Sequence, residues 1–217
     1  VGLAPGWVAD AGKKVSADEL VAGGFNEVVL ATGIVPRKPP IPGADHPKVL
    51  SYIDVLRDKK PVGNKVAIIG GGGIGYDTAL YITDPGHATW QKPDEFAKEW
   101  GFDLSVSVRA GLTTKAPEYL QSPREVTMFK RSKGKFGNTL GKTTGWVHKI
   151  TLEERRVQQV SNVTYDKIDD EGLHYTLKGE QKVLPCDTVI LCAGQEPLRE
   201  LESGLTAKGM PVHIIGG

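Results

Sequence analysis

The sequence predicts an α/β protein with a Rossmann-like parallel sheet and a β-hairpin or meander layer. Short apolar runs alternate with helical patterns, which is typical of this class. The run KVAII at 65–69 leads directly into the glycine-rich segment GGGGIG at 70–75. Two similar segments, EVVLATG at 27–33 and DTVILCAG at 187–194, flank that region. We expect them to mark two crossings between domains, with the glycine-containing domain inserted into another.

The composition excludes several functional classes. The chain has 217 residues and a net charge of +1, which gives no electrostatic case for a nucleic-acid or membrane partner. No apolar run approaches the roughly 18 residues of a spanning helix. Cys186 and Cys192 lie outside any C-x-x-C motif, and Cys192 falls in an apolar run, so we expect a buried thiol and no disulfide framework. A reducing, cytoplasmic environment fits this pattern. The start at Val1 suggests a processed or excised chain.

The first third of the chain contains two predicted strands joined by a stiff connector. Residues 27–31 form a compact apolar run typical of a buried parallel strand. The proline-rich segment 36–43 excludes helix and sheet interior, so it is an extended connector. Ser51 and Asp54 predict a capping box that opens a short helix. Residues 65–69 form the next strand.

The middle of the chain contains a predicted insertion. A helix is expected at about 76–83, followed by irregular structure over about 84–122 with one short helix at 94–100. Residues 125–130 predict a strand, and residues 143–156 predict an amphipathic helix.

The last third of the chain changes to hairpins. Residues 164–168 and 173–177 predict strands, separated by a turn of acidic residues and glycine at 169–172 and followed by a second turn at 178–180. The apolar run 187–193 predicts another buried strand, and 213–215 predicts a final one.

The glycine segment fits the G-x-G-x-x-G motif at Gly70, Gly72 and Gly75, with Gly73 and Ile74 between them. The first glycine permits a tight turn, the second lets the backbone approach a pyrophosphate, and the third lets the helix pack closely on the sheet. Phosphates are bound by the N–H groups at the start of that helix. The flanking strand and helix favour dinucleotide binding. A purely structural turn remains the alternative.

The end of the next strand indicates which dinucleotide is bound. An acidic residue there would bind a ribose 2′-hydroxyl and mark NAD, but this strand ends in Lys130 and Arg131. Cations suit a 2′-phosphate and therefore favour NADP. A solvated run of surface charge is the alternative. Arg131 lies 56 residues after Gly75, against about 20 in the usual unit, which requires the insertion at 84–122.

Four long segments, at 31–43, 46–79, 141–149 and 189–197, resemble bacterial NADPH-dependent 2,4-dienoyl-CoA reductase. This is a family of barrel flavoproteins related to old yellow enzyme and trimethylamine dehydrogenase. The resemblance covers nearly the whole chain and is weakest in the insertion. In that family, a barrel with FMN and a 4Fe-4S cluster precedes two nucleotide-binding domains. Hydride passes from NADPH to FAD, and electrons then pass through the cluster to FMN, which reduces a dienoyl thioester in fatty acid β-oxidation.

The resemblance implies a domain plan for this chain. Residues 1–60 would be part of an FAD-binding domain and its linker, residues 61–193 an NADP-binding domain, and residues 194–217 the return of the FAD-binding domain. The barrel, FMN and the iron–sulfur cluster would lie outside the chain. The crossings near FAD would be formed by Thr32, Gly33, Ala193 and Gly194. The NADPH pyrophosphate would be held by Gly70, Gly72, Gly73 and Gly75, with Lys130 and Arg131 near the 2′-phosphate.

No catalytic residue and no metal site is predicted. The histidines show no metal-ligand spacing, and the family's proton donors belong to the barrel, so this chain alone would not reduce dienoyl-CoA. Three alternatives remain. The first is a related amine dehydrogenase or enoate reductase with a structural ADP site, and the second is a non-catalytic interaction domain. The third, a disulfide reductase, would need a reactive cysteine pair that this chain lacks.

Overall fold

A computed structural model describes residues 12–86, 89–113 and 117–216. The chain forms two compact units. The first combines the described residues up to Val35 with those from Gln195 onward, and the second is Pro36–Gly194. His87 and part of the predicted insertion lie outside the described residues. Among the described residues, no helix is both long enough and apolar enough to cross a membrane.

The described residues contain six α-helices and twelve strands. The helices are α1 Ala17–Ala22, α2 Tyr52–Leu56, α3 Gly73–Ile82, α4 Pro93–Trp100, α5 Gly145–Glu154 and α6 Glu202–Ala207. The strands are β1 Val28–Leu30, β2 Ile34–Pro36, β3 Val49–Ser51, β4 Lys65–Ile69, β5 Glu125–Lys130, β6 Gln158–Ser161, β7 Val163–Asp169, β8 Gly172–Leu177, β9 Glu180–Leu184, β10 Thr188–Leu191, β11 Gln195–Pro197 and β12 Val212–Ile214.

The second unit is built on a five-stranded parallel sheet in the order β3-β10-β4-β5-β6. Ile69 at the end of β4 lies beside Phe129 of β5 and Leu191 of β10. The central strand β4 is buried after its first residue, as expected for a parallel strand covered on both faces. The predicted α/β class with a parallel sheet is confirmed.

The two faces of this sheet have different coverings. One core cluster joins alternate sheet residues such as Ile68 and Met128 to α2, α3 and α5 through side chains such as Tyr76 and Leu152. The other cluster joins the intervening residues, such as Phe129, to the antiparallel meander β7-β8-β9. The predicted hairpin layer is therefore present and covers one face of the sheet.

The first unit is smaller. Its β1 pairs with β12 in parallel, and Val29 of β1 remains 58% exposed. Helix α1 begins with a capping box in which Ser16 accepts from the Glu19 backbone and Glu19 accepts from the Ser16 backbone. The pattern S-A-D-E is a recognisable capping signal that the sequence prediction omitted.

Several element bounds differ from the sequence prediction. Helix α3 begins at Gly73 rather than near 76, so Gly73 and Gly75 lie in its first turn. Helix α5 is Gly145–Glu154, two residues shorter at each end than predicted. The sequence prediction does not include the edge strands β3 and β6, because β3 is only three residues long and β6 is largely polar. Helix α4 confirms the short helix within the insertion.

The compact units divide at 35 and 194, whereas the sequence-based plan divides at 60 and 193. Residues 36–60 join the unit with the glycines because β3 pairs with β10. In addition, the Ile168 backbone N–H donates to the Pro42 carbonyl at 2.8 Å. The assignment of the two units to two cofactors stays a prediction.

Candidate nucleotide-binding site

The glycine segment forms a tight turn between β4 and α3. Gly70 has φ +134°, and its N–H donates to the Phe129 carbonyl at 2.8 Å. A Cβ atom on Gly70 would lie 2.2 Å from the Cys192 carbonyl oxygen, and one on Gly75 would lie 2.2 Å from the Gly70 carbonyl oxygen. Backbone therefore packs against backbone at both positions, which only glycine permits.

The middle of the turn has the opposite character. A Cβ atom on Gly72 or Gly73 would have no neighbour within 4 Å among the described atoms. Gly72 is the N-cap residue of α3, and no side chain caps this helix. The partly buried Ile74 packs against the core and anchors the first turn. The helix start thus combines open space with N–H groups that have no side-chain acceptor, which suits an anionic ligand.

The end of β10 lies next to this turn. The Cys192 N–H donates to the Ile69 carbonyl at 2.8 Å, and the buried Cys192 thiol lies 3.6 Å from the Thr78 hydroxyl oxygen. Burial raises the pKa of this thiol to about 12, so it stays protonated and packs as a small apolar group. Cys186 is also free and buried. The predicted buried character of Cys192 is confirmed.

Ala193 and Gly194 follow β10 in the same unit. Gly194 has φ +103°, and its carbonyl accepts from the Arg37 N–H at 3.0 Å. A Cβ atom on Gly194 would lie 3.5 Å from a guanidinium nitrogen of Arg37. These contacts fix the backbone at the strand end and place a cation beside it.

Thr32 and Gly33 belong to the first unit. Gly33 has φ +78°, its carbonyl accepts from the Leu198 N–H at 2.9 Å, and the Thr32 hydroxyl donates to the Leu198 carbonyl. The adjoining strands β2 and β11 pair with each other. A shared role of these residues with Ala193 and Gly194 at one cofactor remains a prediction.

Lys130 is the last residue of β5, and its ammonium group already has partners. The Nζ atom donates to the Lys135 carbonyl at 2.8 Å and lies 5.0 Å from the centre of the Phe136 ring. That ring packs under Gly71, where a Cβ atom would approach it to 2.8 Å. We call residues 131–137 the basic loop. Contacts of Lys130 and Phe136 hold this loop against the glycine turn.

Arg131 begins the basic loop and has different surroundings from Lys130. Its side chain is exposed and lies near Tyr165 of the meander. Burial raises the pKa of the Tyr165 hydroxyl, while the charge of Arg131 opposes this change. Lys130 and Arg131 thus have different neighbours, on the glycine turn and on the meander respectively.

Two cavities adjoin β6 and share Arg156 in their walls. One of about 720 Å³ opens beside the glycine turn, and its walls include Tyr76, Lys135 and Lys149. The sequence prediction did not include Lys135 and Lys149, although the run RSKGK could have drawn attention to the whole loop. The other cavity, of about 380 Å³, contains Arg124 and Arg155.

The cations of the smaller cavity have a structural role. Arg124 donates to the Ile82 carbonyl at 2.8 Å, and Arg155 donates to the Leu80 carbonyl at 3.0 Å and to the Thr83 hydroxyl at 3.2 Å. These acceptors lie at the C-terminal end of α3, where carbonyl groups lack helical partners. The two arginines therefore cap this helix.

One group in the described chain has metal-ligand spacing. Asp169, Glu171 and His174 offer ligand atoms within 4.8 Å of one another. Lys167 lies 2.6 Å from Asp169, and His174 lies 2.8 Å from it. The hydrogen bond from Lys167, followed by that from His174, lowers the pKa of the Asp169 carboxyl. Ion pairs of Asp169 with Lys167 and His174 therefore account for this group of side chains.

A parallel sheet whose central strand runs through a glycine turn into an uncapped helix defines a nucleotide-binding domain of the Rossmann type. The chain belongs to the pyridine nucleotide-disulphide oxidoreductase family, whose model matches residues 5–213. This family implies flavin and nicotinamide cofactors.

Three relatives show the range of similar proteins. A metal reductase from Desulforamulus reducens is 32% identical over 197 residues, which cover 89% of this chain and 28% of that protein. A cinnamate reductase from Clostridium sporogenes is 54% identical over 63 residues, covering 29% of this chain and 9% of that protein. The structure of a 2-naphthoyl-CoA reductase complex has a TM-score of 0.69 at 23% identity, covering 94% of this chain and 25% of that chain. The chain thus spans about a quarter of the longer proteins that it matches over most of its length.

Proposed function

We propose that the chain is the NADPH-binding, hydride-delivery part of a 2,4-dienoyl-CoA reductase that also uses FAD, FMN and an iron–sulfur cluster. The observation that carries nucleotide binding is the open, uncapped start of α3 at Gly72 and Gly73. The preference for NADPH is supported by the cationic end of β5, where an NAD-binding domain would place an acid. The dienoyl-CoA substrate rests on the sequence resemblance.

The residues of this chain would bind and orient the cofactors. The N–H groups at Gly72, Gly73 and Ile74 would hold the pyrophosphate. Lys130 and Arg131 would lie near the 2′-phosphate, and the strand ends Thr32-Gly33 and Ala193-Gly194 would lie near FAD. When bound, NADPH supplies the hydride and the flavin accepts it. The chain supplies no catalytic side chain in this scheme.

Two relatives support reduction of an unsaturated acyl group in the whole protein. One is named for cinnamate and the other for 2-naphthoyl-CoA. The metal reductase is similar over 89% of this chain, against 29% for the cinnamate reductase, so the nucleotide-binding part is compatible with other electron acceptors. The acyl substrate therefore needs a separate test.

Titration of the full-length protein with NADPH, NADH and ADP tests the proposal, with isothermal titration calorimetry as the readout. We expect NADPH to bind more tightly than NADH and to support reduction of 2,4-dienoyl-CoA. Binding of neither dinucleotide would contradict the proposal. Co-purified ADP that NADPH does not displace would favour the alternative, a related amine dehydrogenase or enoate reductase with a structural ADP site. If the protein oxidises NADPH with metal ions or other acceptors but not with dienoyl-CoA, the proposed nucleotide site would stand and the proposed substrate would be wrong.

A further inference from the structure

The larger cavity begins next to the glycine turn. Tyr76, which follows Gly75 directly, lies in its wall, and its hydroxyl accepts from the Gln159 side chain at 3.3 Å. Lys135 of the basic loop and Lys149 of α5 line other parts of the wall. A volume of about 720 Å³ lies within the range of small-molecule sites. The cavity therefore has the position and the size to hold part of a nucleotide bound at the glycine turn.

The wall of this cavity contains three cations, Lys135, Lys149 and Arg156, and one carboxylate, Glu153. Within the described part of the chain, no carboxylate oxygen lies within 4.0 Å of the Lys135 or Lys149 ammonium group. Elsewhere, lysines such as Lys60 and Lys92 have an acid at 2.6 and 2.9 Å. Neighbouring like charges repel one another, and the whole chain carries only +1. The excess of positive charge in the cavity wall favours an anionic ligand.

The position of the basic loop is set by Lys130. Its hydrogen bond to the Lys135 carbonyl and its contact with Phe136 hold the loop against the glycine turn. Phe136 is only 7% exposed. Since the ammonium group of Lys130 is used within the protein, its neighbours in the loop are better placed to meet a ligand.

We infer that Lys135 and Lys149 bind the 2′-phosphate of the dinucleotide in this cavity, and that Lys130 is a positioning residue which acts through the basic loop. The inference rests on the proposed function and names the residues that determine its specificity. A phosphate monoester carries about −1.5 to −2 charges at pH 7 and three acceptor oxygens. Each lysine ammonium can donate hydrogen bonds to these oxygens. NADH has a hydroxyl there, so it would gain little from either lysine.

The test compares the K135A/K149A variant of the full-length protein with the wild type. Calorimetry is performed with NADPH, NADH, adenosine 2′,5′-bisphosphate and 5′-AMP. Because the variant removes two charge-assisted hydrogen bonds to the 2′-phosphate, we expect NADPH and the bisphosphate to bind at least about 100-fold more weakly. NADH and 5′-AMP should bind with unchanged affinity. The K65A/K182A variant removes the same charge from exposed positions outside this cavity and should bind NADPH normally.

Lys130 receives a separate test. K130M should lower NADPH affinity more than NADH affinity, and K130R should restore the preference because a guanidinium can still donate to the Lys135 carbonyl. The NADPH preference of the wild type should also decline with increasing salt, and this decline should be weaker in K135A/K149A.

The outcomes separate this inference from the proposed function. Equal loss of NADPH and NADH in K135A/K149A, or unchanged NADPH affinity, would overturn the inference while leaving nucleotide binding intact. Failure of the wild type to bind either dinucleotide would instead contradict the proposed function. Circular dichroism melting curves of each variant identify any loss of folding.

Discussion

Helices α2 and α3 both begin where a parallel strand ends, at the same edge of the sheet, but their first turns are completed differently. In α2, the Ser51 hydroxyl accepts from the Asp54 N–H at 3.2 Å, and the Asp54 carboxylate accepts from the Ser51 N–H at 2.7 Å. In α3, the N-cap is Gly72, which has no side chain to offer. The N–H groups at the start of α2 are thus bonded by side chains of the helix itself, whereas those at the start of α3 have no side-chain acceptor.

This difference separates a helix start that contributes to stability from one that is proposed to bind a ligand. A side-chain oxygen at an N-cap occupies the position in which an anion would accept from the helix N–H groups. Helix α2 gains stability from its cap, whereas α3 forgoes that gain and keeps its start open. The comparison predicts which substitutions should affect folding and which should affect ligands.

The largest expected effect comes from giving α3 a cap of its own. Gly72 has φ −87° and ψ −173°, an extended conformation suited to an N-cap residue, and a Cβ there would meet open space. G72D should place a carboxylate where the pyrophosphate is proposed to bind. Because like charges in contact cost several kcal/mol, we expect NADPH and NADH to bind more than about 100-fold more weakly. Calorimetry measures this loss, and denaturation should show undiminished stability. Unchanged affinity would show that the nucleotide binds elsewhere.

Substitution of the packed glycine should affect folding. G75A would place a Cβ atom 2.2 Å from the Gly70 carbonyl oxygen, and overpacking of this kind costs about 1–3 kcal/mol. The neighbouring G73A is the matched control, because its Cβ atom would meet no neighbour within 4 Å. Urea denaturation should show a lower midpoint for G75A alone. Equal midpoints would mean that the turn relaxes without cost.

Removal of the α2 cap should have a smaller effect. S51A removes the hydroxyl that accepts from Asp54, and we expect a loss of about 1 kcal/mol in the free energy of unfolding. T144A serves as the control, since Thr144 is the N-cap of α5 but makes no side-chain cap hydrogen bond. NADPH affinity should be the same in both variants. A change in affinity with S51A would mean that α2 also contributes to the ligand site.

The smallest expected effect is a pH dependence at the same cap. The hydrogen bond from Lys60, followed by that from Ser51, lowers the pKa of Asp54 from 3.8 to about 2. Since the folded-state pKa is below the unfolded value, this stabilisation is complete above pH 3.8 and is lost as the pH falls through about 2. The wild type should therefore lose more stability than D54N between pH 5 and pH 2. Parallel stability curves would exclude this contribution.

Local signals in the sequence were sufficient for much of the fold. The strands at 65–69 and 125–130 match β4 and β5 because both are buried apolar runs with clear boundaries. The Ser51 capping box was predictable because its hydrogen bonds join residues three apart. The hairpin β7-β8 was predictable because a glycine-containing turn at 169–172 separates two short strand-like runs.

Other features depend on contacts between distant residues. Strand β6 has an ordinary polar sequence, and pairing with β5 makes it a strand. Lys130 was correctly placed at the end of β5, but its engagement with the Lys135 carbonyl depends on the loop conformation. The close contact of Gly70 with Cys192 likewise joins residues 122 positions apart in the chain. The motif predicted a tight turn at Gly70, but it could not identify this neighbour.

The lysines of the larger cavity, in the basic loop and in α5, have a practical consequence for the choice of buffer. Phosphate and sulfate carry charge and oxygen acceptors similar to those of a 2′-phosphate, so both ions should compete for Lys135 and Lys149. The NADPH affinity measured in such buffers would therefore be lowered toward the NADH affinity, and the ratio of the two affinities would fall. Chloride-based buffers of low ionic strength should report the larger preference, and stepwise addition of sulfate should then reduce it.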